Sequence, residues 1–200
     1  MALAPSHQQI RADFDRDGVV VYQAFNDAIA DAALAAQRLV PPFSYGRMTW
    51  IKPSFLWLME RSAWAKRPNQ TRILGVRIAR EAWDRALESA VLTAFEARIH
   101  GDRSAWQREF DAAPVRVQWD PERSIRGAKL PHRSIQVGLA RAVAEDYASR
   151  WIVEIRDLTP LTKKIRGLVE AGQHGRAGKQ LPREAVYPAT DEARRRLGIT

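Results

Sequence analysis

The stretch Arg47–Trp64, RMTWIKPSFLWLMERSAW, constrains this chain more than any other. It carries Trp50, Trp57 and Trp64, three of the seven tryptophans, and Phe55, Leu56, Trp57, Leu58 and Met59 run apolar without interruption. Pro53 suits a first helical position, where a fixed φ and a missing N–H do no harm. The spacing predicts a helix from Pro53 to about Ala65. It is apolar almost all round, the pattern of an element wrapped by the protein body rather than laid on its surface. Arg47, Thr49, Lys52 and Ser54 stand at its entry. Polar side chains and free helix N–H groups are therefore expected beside a buried aromatic mass, where an anion can be held.

A chain of 200 residues, 46% hydrophobic, is long enough to bury a core without staples. It has no cysteine, which excludes disulfides and thiolate metal sites and suits a reducing cytoplasm. No apolar stretch approaches the length of a membrane span, and the lead MALAPSHQQIRADFD is too polar for a signal peptide. The expected location is the cytoplasm. A net charge of +9 favours a polyanionic partner such as RNA or DNA. From Gly172 onward six Lys or Arg stand against three acids, so most of the excess belongs to a diffuse basic surface, for which plain solvation is an equal alternative.

Along the chain, Asp15-Arg16-Asp17-Gly18 is turn chemistry, and the β-branched Val19–Ala24 run suits a buried strand. Asn26 is placed to cap an alanine-rich helix from Asp27 to about Gln37. Arg72–Ala79 reads as a second buried strand. Trp83, Leu87, Val91 and Phe95 recur at roughly helical spacing, predicting one long helix from Glu81 to Arg98. A short helical piece, or only a turn, follows near Ser104–Phe110. Val115–Asp120 alternates strictly, with Arg116, Gln118 and Asp120 on one face. It is expected to pair with Arg133–Leu139 across a long connection. A short helix over Ala140–Ser149, a strand over Trp151–Arg156 and a helix over Thr159–Ala171 complete the body. The fold class is α+β: a single domain over residues 1–171, its sheet mixed or mostly antiparallel, with the Trp-rich helix buried against it. Residues 172–200 are expected to be a basic, Gly- and Arg-rich tail, flexible in part.

Phosphate-loop, zinc-protease and serine-hydrolase motifs are absent, and His7, His100, His132 and His174 lack metal-ligand spacing, so no metal is expected. Three polar groupings remain. Tyr22 and Gln23 end the first strand, where Tyr22 can stack on a flat ring and Gln23 can read an amide; a core tyrosine is the favoured plain alternative. Arg47 can grip a phosphate pair with Thr49, Lys52 and Ser54 assisting, although capping and solvation also explain the last three. Gln118, Asp120, Glu122, Arg123, Arg133 and Gln136 cluster on the predicted hairpin, where a turn with a local ion pair is the plain alternative for Asp120–Arg123. Arg133 and Gln136 fall on opposite faces of one strand, so at most one of them enters any given cleft.

The strings VYQAF (Val21–Phe25), VPPFSYGRMTWIKPSFLWLMERSAW (Val40–Trp64), VRVQWDPER (Val115–Arg123) and RSIQVGL (Arg133–Leu139) resemble family 4291 of the domains of unknown function. That resemblance implies no activity. The order of elements is also similar to that of ADP-ribosyltransferase-like enzymes, in which a first strand with an aromatic and polar pair, a strand-to-helix segment and a late strand with a polar residue line a nicotinamide pocket. Val20–Ala24, Arg47–Trp64 and Arg133–Leu139 would take those places. The chain departs from the pattern in having Gln23 where histidine or arginine is usual, and Gln136 where glutamate is.

This resemblance implies a nucleotide-handling transferase, with NAD as cofactor and nucleic acid as acceptor. Gln136, Tyr22 and Arg47 would act in catalysis. Gln23, Arg47, Thr49, Trp50, Lys52 and Ser54 would bind the cofactor, and Arg123 and Arg133 would contact nucleic acid. The alternative from another class is a non-catalytic RNA- or DNA-binding module that stacks bases on aromatic rings and clamps phosphates with Arg and Lys.

Overall fold

The computed structural model describes residues 8–199; the polar lead before Gln8, read above as too polar for a signal peptide, and Thr200 lie outside them. The elements run β1 (Arg11–Phe14), β2 (Gly18–Phe25), α1 (Asp27–Ala36), β3 (Thr49–Ile51), α2 (Phe55–Ser62), β4 (Arg72–Ala79), α3 (Arg80–Glu88), β5 (Val91–Leu92), α4 (Ala97–His100), α5 (Arg103–Ala112), β6 (Val115–Arg123), β7 (Lys129–Leu139) and α6 (Arg141–Asp146). A π-helical turn, Tyr147–Trp151, then leads to β8 (Ile152–Asp157), α7 (Thr159–Glu170), α8 (His174–Gly178), β9 (Ala185–Val186) and α9 (Asp191–Leu197). This is an α+β fold.

The strands form two sheets. One has the order β8-β4-β2-β1-β9, the other β3-β7-β6-β5. Every pairing is antiparallel except β5 with β6. A backbone hydrogen bond links the two sheets, the Tyr22 N–H donating to the Lys52 carbonyl at 2.6 Å. The main core collects Val19 and Val21 of β2, Val76 and Ile78 of β4, and Val117, Ile135 and Val137 of the second sheet. A second core lies on the other face of β2, where Tyr22 and Ile73 pack against Phe55, Leu58 and Met59 of α2 and Ile165 of α7. Helix α2 is thus buried against the sheet, but it carries only one of the three tryptophans of its stretch, Trp57; Trp50 lies on β3 and Trp64 beyond the helix end.

Several sequence expectations shift. Helix α2 starts at Phe55 rather than Pro53, because the Ser54 side chain takes the Trp57 N–H at 3.1 Å and makes Ser54 the N-cap. It ends at Ser62, where Ala63, Trp64 and Ala65 all adopt positive φ. The single helix expected over Glu81–Arg98 is broken. Its first half is α3, but Val91–Leu92 pairs with β6 as an edge strand and the Thr93 N–H donates to the Val117 carbonyl at 2.8 Å. Ladder hydrogen bonds and burial override a helical periodicity that four residues happened to satisfy. The connection in the β6–β7 hairpin is shorter than expected, because pairing continues to Arg123 with Lys129.

The segment beyond Gly172, expected as a flexible tail, carries α8, β9 and α9. Gly172 (φ +72°) ends α7: its N–H reaches the Val169 carbonyl and that of Gln173 reaches Leu168, a pairing that needs a left-handed residue. Strand β9 then adds to β1, while Tyr187, Ala193 and Leu197 enter the main core. No helix among the described residues is long and apolar enough to cross a membrane.

Candidate functional site

A cleft of about 1090 Å³ opens beside the junction of the two sheets. Strand β2 brings Gln23 to it, the loop before β3 brings Arg47, β3 and the residue after it bring Thr49, Trp50 and Lys52, α2 brings Trp57 and Arg61, and the β6–β7 hairpin brings Gln118, Asp120 and Gln136. The hairpin contribution follows from pleating. Gln118 and Gln136 are direct cross-strand partners, and the alternation that buries Val117, Trp119, Ile135 and Val137 turns the intervening polar residues to the opposite face.

Asp120 is held from both sides. Gln118 Nε2 donates to one carboxylate oxygen at 2.9 Å and Gln136 Nε2 to the other at 2.8 Å. Gln23 is similarly fixed: its amide oxygen accepts from the buried Tyr147 hydroxyl at 2.6 Å and its amide nitrogen faces the Trp50 carbonyl at 3.4 Å. Burial pushes the Tyr147 hydroxyl pKa well above the usual tyrosine value, so it is held as a donor to Gln23. The Trp50 ring lies on Gly138 of β7; a Cβ there would sit 3.0 Å from two ring carbons and 2.6 Å from Met48 Sδ. Glycine is what lets this wall of the cleft close up.

Lys52 is the buried basic residue of the cleft. It is 7% exposed, its ammonium lies 3.3 Å from the Trp50 carbonyl and 5.3 Å from the centre of the Trp57 ring, and it has no carboxylate partner among the described residues. Burial, and then the Arg61 charge, lower its pKa to about 7, while Asp120 pulls the other way. Arg47 and Arg61 are exposed and form no ion pair among the described residues. The cleft therefore gathers the charges of Arg47 and Arg61, and a part-protonated Lys52, against Asp120, the one carboxylate lining it among the described residues, an excess of positive charge suited to an anion.

Of the residues singled out from sequence, Gln23, Arg47, Thr49, Trp50, Lys52 and Gln136 all line this cleft. Tyr22 does not. It is 1% exposed and packs edge-on against Phe55 in the second core, because it alternates with Gln23 along β2 and points to the opposite face. Its hydroxyl has no hydrogen-bond partner among the described residues, and burial raises its pKa well above the usual tyrosine value. Ser54 is spent on capping α2. The adjacent Phe55 N–H donates at 2.7 Å to a carboxyl oxygen of Glu184, so the helix N-terminus expected to hold an external anion is already occupied by a side chain of the chain itself. Burial, more than the opposing hydrogen bond, lifts the Glu184 pKa to about 8.

Arg123 and Arg133 are not neighbours on one surface. Arg123 pairs with Glu60 at 3.5 Å and donates to the Gly127 carbonyl. Arg133 donates to the Trp119 carbonyl at 2.9 Å and borders a separate cavity of about 480 Å³ with Glu96 and Arg98. As its parity required, it lies away from the cleft that Gln136 lines. Sequence reading did not single out Arg61 or Trp57 for the site. Both sit on one face of α2, four residues apart, and that spacing was the available signal. No group of three or more His, Asp or Glu placed to hold a metal occurs among the described residues.

No curated protein matches the chain. A family model matches residues 9–187, which take in every strand, the whole cleft and the Glu184 contact to α2. The chain accordingly belongs to the family described as a domain of unknown function, DUF4291.

Proposed function

We propose that the cleft binds a nucleotide through its phosphates and transfers a group from it, with NAD as the donor and nucleic acid as the acceptor. The observation that carries this reading is the convergence of Arg47, Lys52 and Arg61 on one cavity where Asp120 is the only lining carboxylate among the described residues. A volume of about 1090 Å³ lies at the upper end of the range for small-molecule sites and has room for a dinucleotide. Arg47 and Arg61 hold phosphate oxygens, a task for which the planar guanidinium is suited. The Trp50 ring offers a flat apolar face for a base. Asp120, positioned by Gln118 and Gln136, stands where positive charge would develop on a sugar losing its base, and a preorganised carboxylate there lowers the barrier. NAD is favoured over other nucleotides by the resemblance in element order to ADP-ribosyltransferase-like enzymes. Tyr22 and Ser54 drop out of the proposed machinery, and Gln136 becomes a positioning residue for Asp120.

A nucleic-acid-binding module without catalysis draws less support, since Arg123 and Arg133 are engaged separately within the fold. A thermal-shift series tests the choice. NAD⁺ or ADP-ribose at millimolar concentration should raise the melting temperature, by about 2.7 kcal/mol of stabilisation at a hundredfold excess over Kd. The shift should vanish in Arg47→Ala and in Arg61→Ala. If no nucleotide moves the transition while a short oligonucleotide binds with steep salt dependence, the module reading replaces this one.

A further inference from the structure

We propose that Lys52 is a nucleophilic amine that captures the carbonyl carbon of a phosphorylated sugar aldehyde as an imine inside the cleft. The proposal rests on the nucleotide reading above, since loss of the base from a nucleotide leaves a sugar phosphate whose open-chain form is such an aldehyde. Four features point to it. The Lys52 side chain is more than nine-tenths buried yet opens onto the cavity. Its ammonium has no carboxylate partner among the described residues and is held only by the Trp50 carbonyl and the Trp57 ring, so nothing in the fold requires it to stay charged. Arg61 from α2 and Arg47 from the loop before β3 line the same cavity and can anchor the phosphate. Asp120 from β6 also faces it and provides a carboxyl group to carry protons.

The environment agrees with this assignment: with a pKa of about 7, a large share of the amine is unprotonated at neutral pH, as a nucleophilic lysine requires. Desolvation and a neighbouring cation are the two devices known to lower a lysine in this way. In the step itself, the Lys52 nitrogen lone pair forms the C–N bond as the carbonyl π pair moves to oxygen. One proton passes from nitrogen to that oxygen, giving a carbinolamine. The hydroxyl then leaves as water with a second proton, and the nitrogen lone pair forms the C=N bond. The sum is amine plus aldehyde giving imine plus water, with nothing oxidised or reduced.

The test traps the imine. The intact protein is incubated with pyridoxal 5′-phosphate or ADP-ribose across a pH series, reduced with borohydride and mapped by mass spectrometry. Adduct is expected at Lys52 with half-maximal labelling near pH 7, suppressed by excess inorganic phosphate and absent in Lys52→Met. The exposed lysines Lys66, Lys129, Lys163, Lys164 and Lys179, outside the cavity, should label less than Lys52 and without suppression by phosphate. Labelling of these to the same extent as Lys52 at pH 7, or none at Lys52, overturns the proposal. Lys52→Met removes a buried charge and should melt no lower than wild type, so lost labelling cannot be put down to unfolding. A nucleotide thermal shift without Lys52 labelling would sink the imine chemistry alone, whereas labelling by pyridoxal 5′-phosphate with no nucleotide shift would keep the amine and sink the nucleotide donor.

Discussion

Tyr22 and Gln23 are adjacent in sequence and do unrelated work. The period of a strand puts one into the core and the other into the cleft. The same parity rule separated Arg133 from Gln136 on sequence grounds alone; applied to Tyr22 and Gln23, it would have shown that they cannot share a ligand. Tyr22 buries a hydroxyl without a partner among the described residues, which is a cost the fold bears rather than a device it uses. Tyr22→Phe should therefore stabilise the protein by about 1 kcal/mol in urea denaturation and leave any nucleotide-dependent thermal shift intact. A loss of that shift would return Tyr22 to the site.

At the scale of elements, α2 was legible as an inner helix because its apolar run admits little else, but its ends were settled by neighbours. Ser54 caps the first turn, and Glu184, 129 residues beyond Phe55, accepts from the Phe55 N–H. Burial raises the Glu184 pKa from the ordinary carboxylate range to about 8. The folded state therefore keeps a proton that the unfolded chain has lost. The resulting stabilisation is complete below about pH 4.5 and fades as pH rises through about 8. Glu184→Gln keeps the acceptor and removes the ionisation. In chemical denaturation it should flatten the fall in stability between pH 5 and 8 and exceed wild type at pH 8. A wild-type profile already flat over that interval would show that Glu184 titrates normally. The failed helix over Glu81–Arg98 has a comparable origin: its first half satisfies its own backbone, while Val91–Leu92 finds better partners on β6 than in a helix.

Across the whole molecule, the two sheets, the cleft and the C-terminal segment form a connected arrangement. Leu197 is fully buried, and its carbonyl accepts from the Trp119 indole N–H at 3.0 Å. Leu197→Ala should thus cost about 2–5 kcal/mol, the usual penalty for emptying a core position; a change near zero would mean that the segment beyond Gly172 is not part of the core. Composition alone argued the other way, since a basic stretch with glycine every third residue resembles a linker. The sparse apolar residues Tyr187, Ala193 and Leu197 matter because of what they meet, and no local pattern announces that.

What the sequence determined by itself was whatever depends on neighbours within a few residues: the buried helix of the Phe55–Met59 run, the alternation that puts Gln118, Asp120 and Gln136 on a polar face, the Asn26 cap, and the α+β class. Tertiary structure decided which polar groups face one another and which are already engaged. It turned Tyr22 away, placed Glu184 against the α2 N-terminus, and brought Arg61 beside Lys52. The physical reason is that burial and charge depend on distance in space, and residues far apart in the chain fix that distance only once the strands have paired.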